Sequence, residues 1–356
     1  MLVDVIKPDS ERWMKILAKM RHDFYHLPGY VTLEAERIGG EACAVLIEDG
    51  GGVLFLPLIL RPIEVEGELV PGLDKARDAV SPYGYPCPLF MTSDERPADE
   101  FLEAALQSLT QKLSDEGVAA GFFRLHPLLE FPRENLQRHG TLVHHGQTVW
   151  IDLTVAEEEL WQHTRKTYRN LIRRLKRDDF RVRLDDAWSS LPRFIEIYYQ
   201  TMAIVKAEDY YYFSQDYFEK LRRALGPRIS LCLVEKDGRI GAAGLFTECS
   251  GIVQYHLSCS DPDDFFKDAT KLMLDFIRSW AKMRGNKYFH LGGGVGSQKD
   301  SLFFFKSGFS DLKSDFYSWR VIFNQQIYEA AVRNWEKKTG QKVGSIEEYF
   351  PPYRKP

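Results

Sequence analysis

The residues best suited to chemistry fall in one stretch, HLGGGVGSQKDSLFFFKSGF, residues 290–309. Gly292, Gly293, Gly294 and Gly296 place four glycines in five positions, which lets a backbone turn sharply and come close to a ligand. A helix starting near Asp300 would point its first N–H groups at that loop, a geometry that favours an anion or a developing negative charge. Lys306 follows three phenylalanines, and a lysine held against aromatic rings loses hydration and can act as an electrostatic clamp. The glycines fit neither the G-x-x-x-x-G-K-[ST] phosphate loop nor the G-x-G-x-x-G dinucleotide turn. Spacing alone supports a ligand loop and a tight strand-to-helix connection equally. By pattern alone Lys306 reads more simply as a solvated lysine.

A second feature is basic. Between Arg165 and Arg183 there are nine Lys/Arg and two Asp. On a helical wheel Trp161, Tyr168, Ile172 and Leu175 share one face, and Arg165, Lys166, Arg169, Arg173 and Lys176 occupy the neighbouring arc. In a chain of net charge −4, so local a stripe points to phosphate contact or to a solvated face. Aromatic crowding at Tyr198, Tyr199 and Tyr210–Tyr212 suits a base, a sugar, a peptide stem or an internal interface. His256 sits on a strand pattern, and His126 and His290 end strands. No metal-ligand spacing such as H-E-x-x-H and no G-x-S-x-G elbow occurs.

The elements that must hold these residues follow from periodicity. The first half reads as a hairpin (42–47 and 53–60 around 49–52), a helix over 98–115 and a strand over 121–125. The second half repeats the order: helices over 156–178 and 190–205, a hairpin turning at 236–238, a strand over 251–258, an amphipathic helix over 269–284 and a strand over 287–291. In both halves the final strand ends near a histidine, which reads as a weak internal duplication. A chain of 356 residues is long enough for two cores. The expected domains are 1–148 and 149–323, with a helix and tail over 324–356. Five cysteines without C-x-x-C spacing argue against disulfides and zinc. No apolar run is long enough to span a membrane, and the first residues lack a secretory pattern, so the expected compartment is the cytoplasm.

Taken together, DFYHLPGY (23–30), SPYGY (81–85), RLHP (124–127), RKTYRNLI (165–172), YQTM (199–202), TKL (270–272) and residues 290–309 resemble the FemAB family of GNAT-like acyltransferases, which includes peptidoglycan aminoacyltransferases and BioF2-like relatives. The resemblance implies an α/β fold with a mixed sheet, built as two tandem GNAT-like domains with a cleft between them. It implies transfer of an aminoacyl or acyl group onto an amine of a cell-envelope precursor. The Phe-Lys pair of the family's donor site matches Phe305 and Lys306, and the family's acceptor-phosphate contacts match Arg165, Lys166 and Arg169. Tyr83, Tyr85, Tyr211 and Tyr212 are further substrate-binding candidates, Gly292–Gly294 candidates for the donor loop, and His256, His290 and Asp300 candidates for the proton acceptor. No tightly bound cofactor or metal is expected. The donor would be an aminoacyl-tRNA or an acyl thioester such as acyl-CoA. The acceptor would be a phosphate-bearing amine, reached at the membrane surface when lipid-linked. The stretch DPDDFFKDAT (261–270) departs from the acetyl-CoA loop of simple GNAT enzymes, because its acids would repel a pyrophosphate. An acyl-carrier-protein-dependent N-acyltransferase of surface polysaccharide synthesis and a non-catalytic RNA- or lipid-head-group-binding protein are the rival readings.

Overall fold

The computed structural model describes residues 1–50, 52–92 and 98–355. Gly51, in the first expected hairpin turn, lies outside the described residues. The chain divides into two compact units, residues 1–145 with 315–356, and residues 146–314.

Unit 1 orders its main strands Leu2–Ile6, Glu41–Asp49, Gly52–Pro62, Arg77–Val80, Val118–Arg124 and Lys313–Ile322. The first three pairings are antiparallel, the fourth parallel and the fifth antiparallel. Unit 2 orders its strands Arg181–Leu184, Ile229–Lys236, Arg239–Cys249, Ile252–Ser260, Tyr288–Gly292 and Thr141–Asp152. Its pairings run in the same sequence: three antiparallel, one parallel, one antiparallel. The duplication suspected from element order is therefore repeated strand by strand. In both units the parallel pair is joined by a long helix, Ala98–Asp115 in unit 1 and Ala269–Met283 in unit 2, as a parallel crossover requires.

The division departs from the 148/149 and 323/324 boundaries that the sequence suggests. The strand completing unit 1 comes from the C-terminal part of the chain, where Ser318–Ile322 pair with Ala120–Arg124. Residues 324–356 belong to unit 1 rather than standing apart. Helix Gln325–Thr339 buries Ala331, Val332 and Trp335 with Ile63, Val65, Ala119 and Tyr353.

Unit 2 is closed by a core that contains Ile172, Leu175, Val253, Leu272, Met273, Ile277, Phe289 and Leu291. Helix Ala269–Met283 buries Leu272, Leu274 and Ile277 as its periodicity predicts, while Phe276 and Trp280 are only partly buried. The five cysteines are all buried and free, and burial pushes the Cys259 thiol far up. No described helix is long and apolar enough to cross a membrane, and the described residues hold no metal-binding cluster.

Candidate active site

The site begins where two parallel strands of unit 2 part. Strands Ile252–Ser260 and Tyr288–Gly292 pair only over Ile252–Gln254 and Tyr288–His290. Beyond that rung the first strand stays with Arg239–Cys249, while the second turns into the glycine loop. The parting is helped by a β-bulge: Phe246 faces Tyr255 and Leu245 faces Leu257, so His256 is the extra residue. A bulge bends its strand and re-aims the side chains around it.

The glycine loop is folded by its own carboxylate. Asp300 caps helix Ser301–Lys306 by accepting from Phe303 N at 2.9 Å, and its other oxygen accepts from Val295 N at 3.0 Å. A Cβ at Gly294 would lie 2.2 Å from Asp300 Oδ1, so only glycine admits this clasp. Gly292 turns the chain at φ +80°. This changes the reading of the helix end. Asp300 takes the Phe303 N–H at that helix end, and its two oxygens are engaged by backbone rather than poised to take a proton.

Lys306 sits on the last turn of that helix, 8% exposed. Its Nζ donates to Gly293 O at 2.6 Å and lies 5.8 Å from the centroid of the Tyr255 ring. Burial lowers its pKa to about 8, and the charge of Asp300 opposes that shift only in part. The ammonium thus joins the glycine loop to the bulged strand. The bland reading of Lys306 as a solvated lysine does not hold.

Phe305 is partly buried, packed 6.1 Å from the Tyr168 ring and 5.8 Å from Phe309. Arg165 N donates to Gly308 O at 2.7 Å, which joins the start of helix Lys166–Arg177 to the segment just after Lys306. The Arg165 guanidinium and the Lys271 ammonium stand 5.2 and 5.1 Å from the Tyr168 centroid. Tyr168 and Lys271 thus stand beside Phe305 and Arg165, though neither was a site candidate from the sequence. The wheel put Tyr168 on the apolar face, and Lys271 stood in the sequence only within the motif TKL (270–272).

The basic stripe divides in two. Arg174 pairs with Asp268, Lys176 with Asp275, Arg181 with Asp179 and Arg183 with Glu235. Among the described residues, Arg165, Lys166, Arg169 and Arg173 have no carboxylate at ion-pair distance; Arg169 instead donates to Gln162 Oε1 at 2.5 Å. The free charge is thus gathered on the first turns of the helix, where the helix dipole adds to it.

The remaining aromatic candidates have partners of their own. Tyr211 and Tyr212 belong to an aromatic cluster tied to helix Leu191–Ile204: Tyr198 donates to Tyr211 O at 2.9 Å, and Tyr199 stands 5.7 Å from Tyr212. Thr201 on that helix accepts from Ser260 N, so the cluster borders the far end of the bulged strand. Tyr83 and Tyr85 lie in unit 1. There the Tyr83 carbonyl accepts from Tyr30, and the Tyr85 ring packs edge-on against Tyr25, His126 and Phe316. The acidic stretch before Ala269 is held by arginines: Asp261 by Arg193, Asp263 by Arg239, and Asp268 by Arg174.

Residues 162–300 match the family model described as an acetyltransferase (GNAT) domain. Solved structures share the fold over nearly the whole chain. FemX aligns at 16% identity and TM-score 0.67, covering 92% of this chain and 99% of its own. The C-terminal domain (DUF2156) of a putative lysylphosphatidylglycerol synthetase from Agrobacterium fabrum aligns at 14% identity and TM-score 0.56, covering 94% and 98%. L-PGS from Bacillus licheniformis aligns at 13% identity and TM-score 0.53, covering 90% and 93%. No curated protein matches the chain. The protein therefore carries a GNAT acetyltransferase-like domain in unit 2 and is an acyltransferase by class.

Proposed function

We propose that the protein moves an aminoacyl group from an aminoacyl-tRNA ester onto an amine of a phosphate-bearing cell-envelope precursor, in the cytoplasm or at the membrane surface when that acceptor is lipid-linked. The observation that carries this reading is Lys306, a buried cation fixed between the glycine loop and the bulged strand. A buried ammonium is costly to keep in a fold, and a developing oxyanion is what it would neutralise there. The acceptor amine attacks the ester carbonyl carbon. The carbonyl oxygen gains the charge and is met by Lys306, whose ammonium has donors beyond the one used on Gly293 O. The amine proton passes to His256 or His290, the C–O bond breaks, and the leaving ribose oxygen takes that proton from the imidazolium to depart as a hydroxyl. Arg165, Lys166 and Arg169 take the acceptor phosphate, beside Phe305 and Tyr168.

An acyl thioester such as acyl-CoA is the second reading, favoured by the acetyltransferase (GNAT) match. Against it stands the acidic stretch before Ala269, whose Asp261, Asp263 and Asp268 occupy Arg193, Arg239 and Arg174 and would oppose a pyrophosphate, with Lys267 left as an exposed cation of the stretch. The test offers labelled acetyl-CoA and labelled aminoacyl-tRNAs in parallel, with a cell-envelope precursor extract as acceptor. Label moved only from tRNA supports the first reading, and label moved only from acetyl-CoA replaces it with the second. Strongly salt-dependent RNA binding with no transfer from either donor refutes both.

A further inference from the structure

Helices of unit 2 converge on one buried side chain. Arg278, on helix Ala269–Met283, is 2% exposed. Its Nη2 donates to Asp275 Oδ1 at 2.9 Å and to Glu157 Oε1 at 3.1 Å, and its Nη1 donates to Thr164 Oγ1 at 3.1 Å. Glu157 opens helix Glu157–His163, and Asp275 also accepts from Lys176 of helix Lys166–Arg177 at 2.7 Å. The Arg278 Nε has no hydrogen-bond partner among the described residues. A buried guanidinium with one N–H left over is a poor source of stability, because an apolar side chain of similar size would often serve the fold as well. What it supplies is a fixed geometry.

Thr164 and Arg165 form the joint between helices Glu157–His163 and Lys166–Arg177, and Thr164 is buried. The Thr164 hydroxyl donates to Leu160 O at 3.2 Å, which leaves a lone pair for Arg278. One residue on, Arg165 N donates to Gly308 O, two residues past Lys306. The joint is thus held by Arg278 through a side chain and by the turn after Lys306 through the backbone. We propose that Arg278 is a positioning residue: acting through the Thr164 hydroxyl, it holds this joint against Gly308 and so sets where Arg165, Lys166 and Arg169 stand relative to Lys306. Arg165 and Lys166 pair with no carboxylate among the described residues, so their placement follows the backbone that carries them. The functional half rests on the reading above that these cations take the acceptor phosphate; the joint itself does not.

The test compares Thr164→Val, which keeps the shape and loses the acceptor, with Thr164→Ser, which keeps the acceptor, and with Arg278→Met. Amide hydrogen exchange in the full chain reads the joint at Arg165. Exchange there should quicken about tenfold or more in Thr164→Val and Arg278→Met and stay near wild type in Thr164→Ser. Unchanged protection of Arg165 in Thr164→Val, or equal loss in Thr164→Ser, overturns the proposal, and neither result needs Arg278→Met to fold. Transfer is then measured with whichever donor proves active and the cell-envelope precursor extract as acceptor. Half-saturation should take about tenfold more extract in Thr164→Val and Arg278→Met at nearly unchanged maximal rate, with Thr164→Ser close to wild type. The double variant should be no worse than Arg278→Met alone, because its second change removes a bond already lost. Unchanged half-saturation with a loosened Arg165 amide, or additive losses in the double variant, overturns the functional half; a merely structural Arg278 would move the unfolding midpoint and leave half-saturation alone. Absence of wild-type transfer from every donor counts against the acyl-transfer reading, and exchange at Arg165 still decides whether Arg278 sets the joint.

Discussion

Replacing Lys306 by Met should stabilise the fold at neutral pH while removing its activity. The ammonium is buried, and burial lowers its pKa from the ordinary lysine value of 10.5 to about 8. A gap of that size corresponds to about 3 kcal/mol of cost in keeping the charge inside. The sign follows from the direction of the shift. Below pH 8 the lysine is protonated in both states and the folded state bears the whole cost. Between about 8 and 10.5 the unfolded chain binds more protons than the folded one, so stability rises with pH and the cost fades. Met keeps most of the apolar stem. It forfeits the hydrogen bond to Gly293 O, a loss of about 1 kcal/mol. The net expectation is a gain of about 2 kcal/mol at pH 7 that vanishes or reverses above pH 10. Hydrogen exchange of the amides in helix Ala269–Met283 reads this for unit 2 alone. A Lys306→Met protein less stable than wild type at pH 7, by an amount that does not change with pH, would make Lys306 a structural strut and refute the reasoning.

Other consequences are simpler to read. Asp300→Ala removes the acceptor of two backbone N–H groups and should cost about 1–2 kcal/mol, seen as faster exchange at Val295 and Phe303. Gly308→Ala would place a Cβ 2.1 Å from Tyr168 Cε2, so it should destabilise unit 2 by about 1–3 kcal/mol in denaturant titration; a neutral result would mean that ring is free to move. Arg165→Ala with Lys166→Ala should weaken acceptor binding and flatten its dependence on salt, leaving the unfolding midpoint nearly unchanged; equal salt slopes would remove these residues from phosphate contact.

Much of the fold is written locally. The hairpin turning at Asp237 and Gly238 has both residues at positive φ, as the Asp-Gly pair predicts. The apolar stripe in 269–284 also reads correctly, and the strand expected over 287–291 is found at Tyr288–Gly292. Among the helices not expected from the sequence, two carried local signals. Pro28–Ile38 has a weak apolar stripe, although Pro28 at its first position and Gly39 in the left-handed region after its end are both signals. Gln215–Leu225 was hidden by the tyrosines before it, despite Ser214 as a cap on Tyr217 N.

The candidate site was legible as residue types and not as geometry. Lys306 stood out through the aromatics before it, yet its ring contact, Tyr255, lies fifty-one residues earlier on the bulged strand. The partner of His290 is a glutamine on another strand, which no spacing rule reveals. The same non-locality explains the basic stripe: half of it answers to carboxylates such as Asp268 and Asp275 on helix Ala269–Met283 and the residue before it.

The most direct measurement is single-turnover transfer of label from aminoacyl-tRNA to an amine acceptor by wild type and Lys306→Met, both shown to be folded. The account predicts transfer by the wild type and a loss of about a hundredfold or more in the variant, the scale of losing an oxyanion-stabilising group. Equal rates in the two proteins would contradict it.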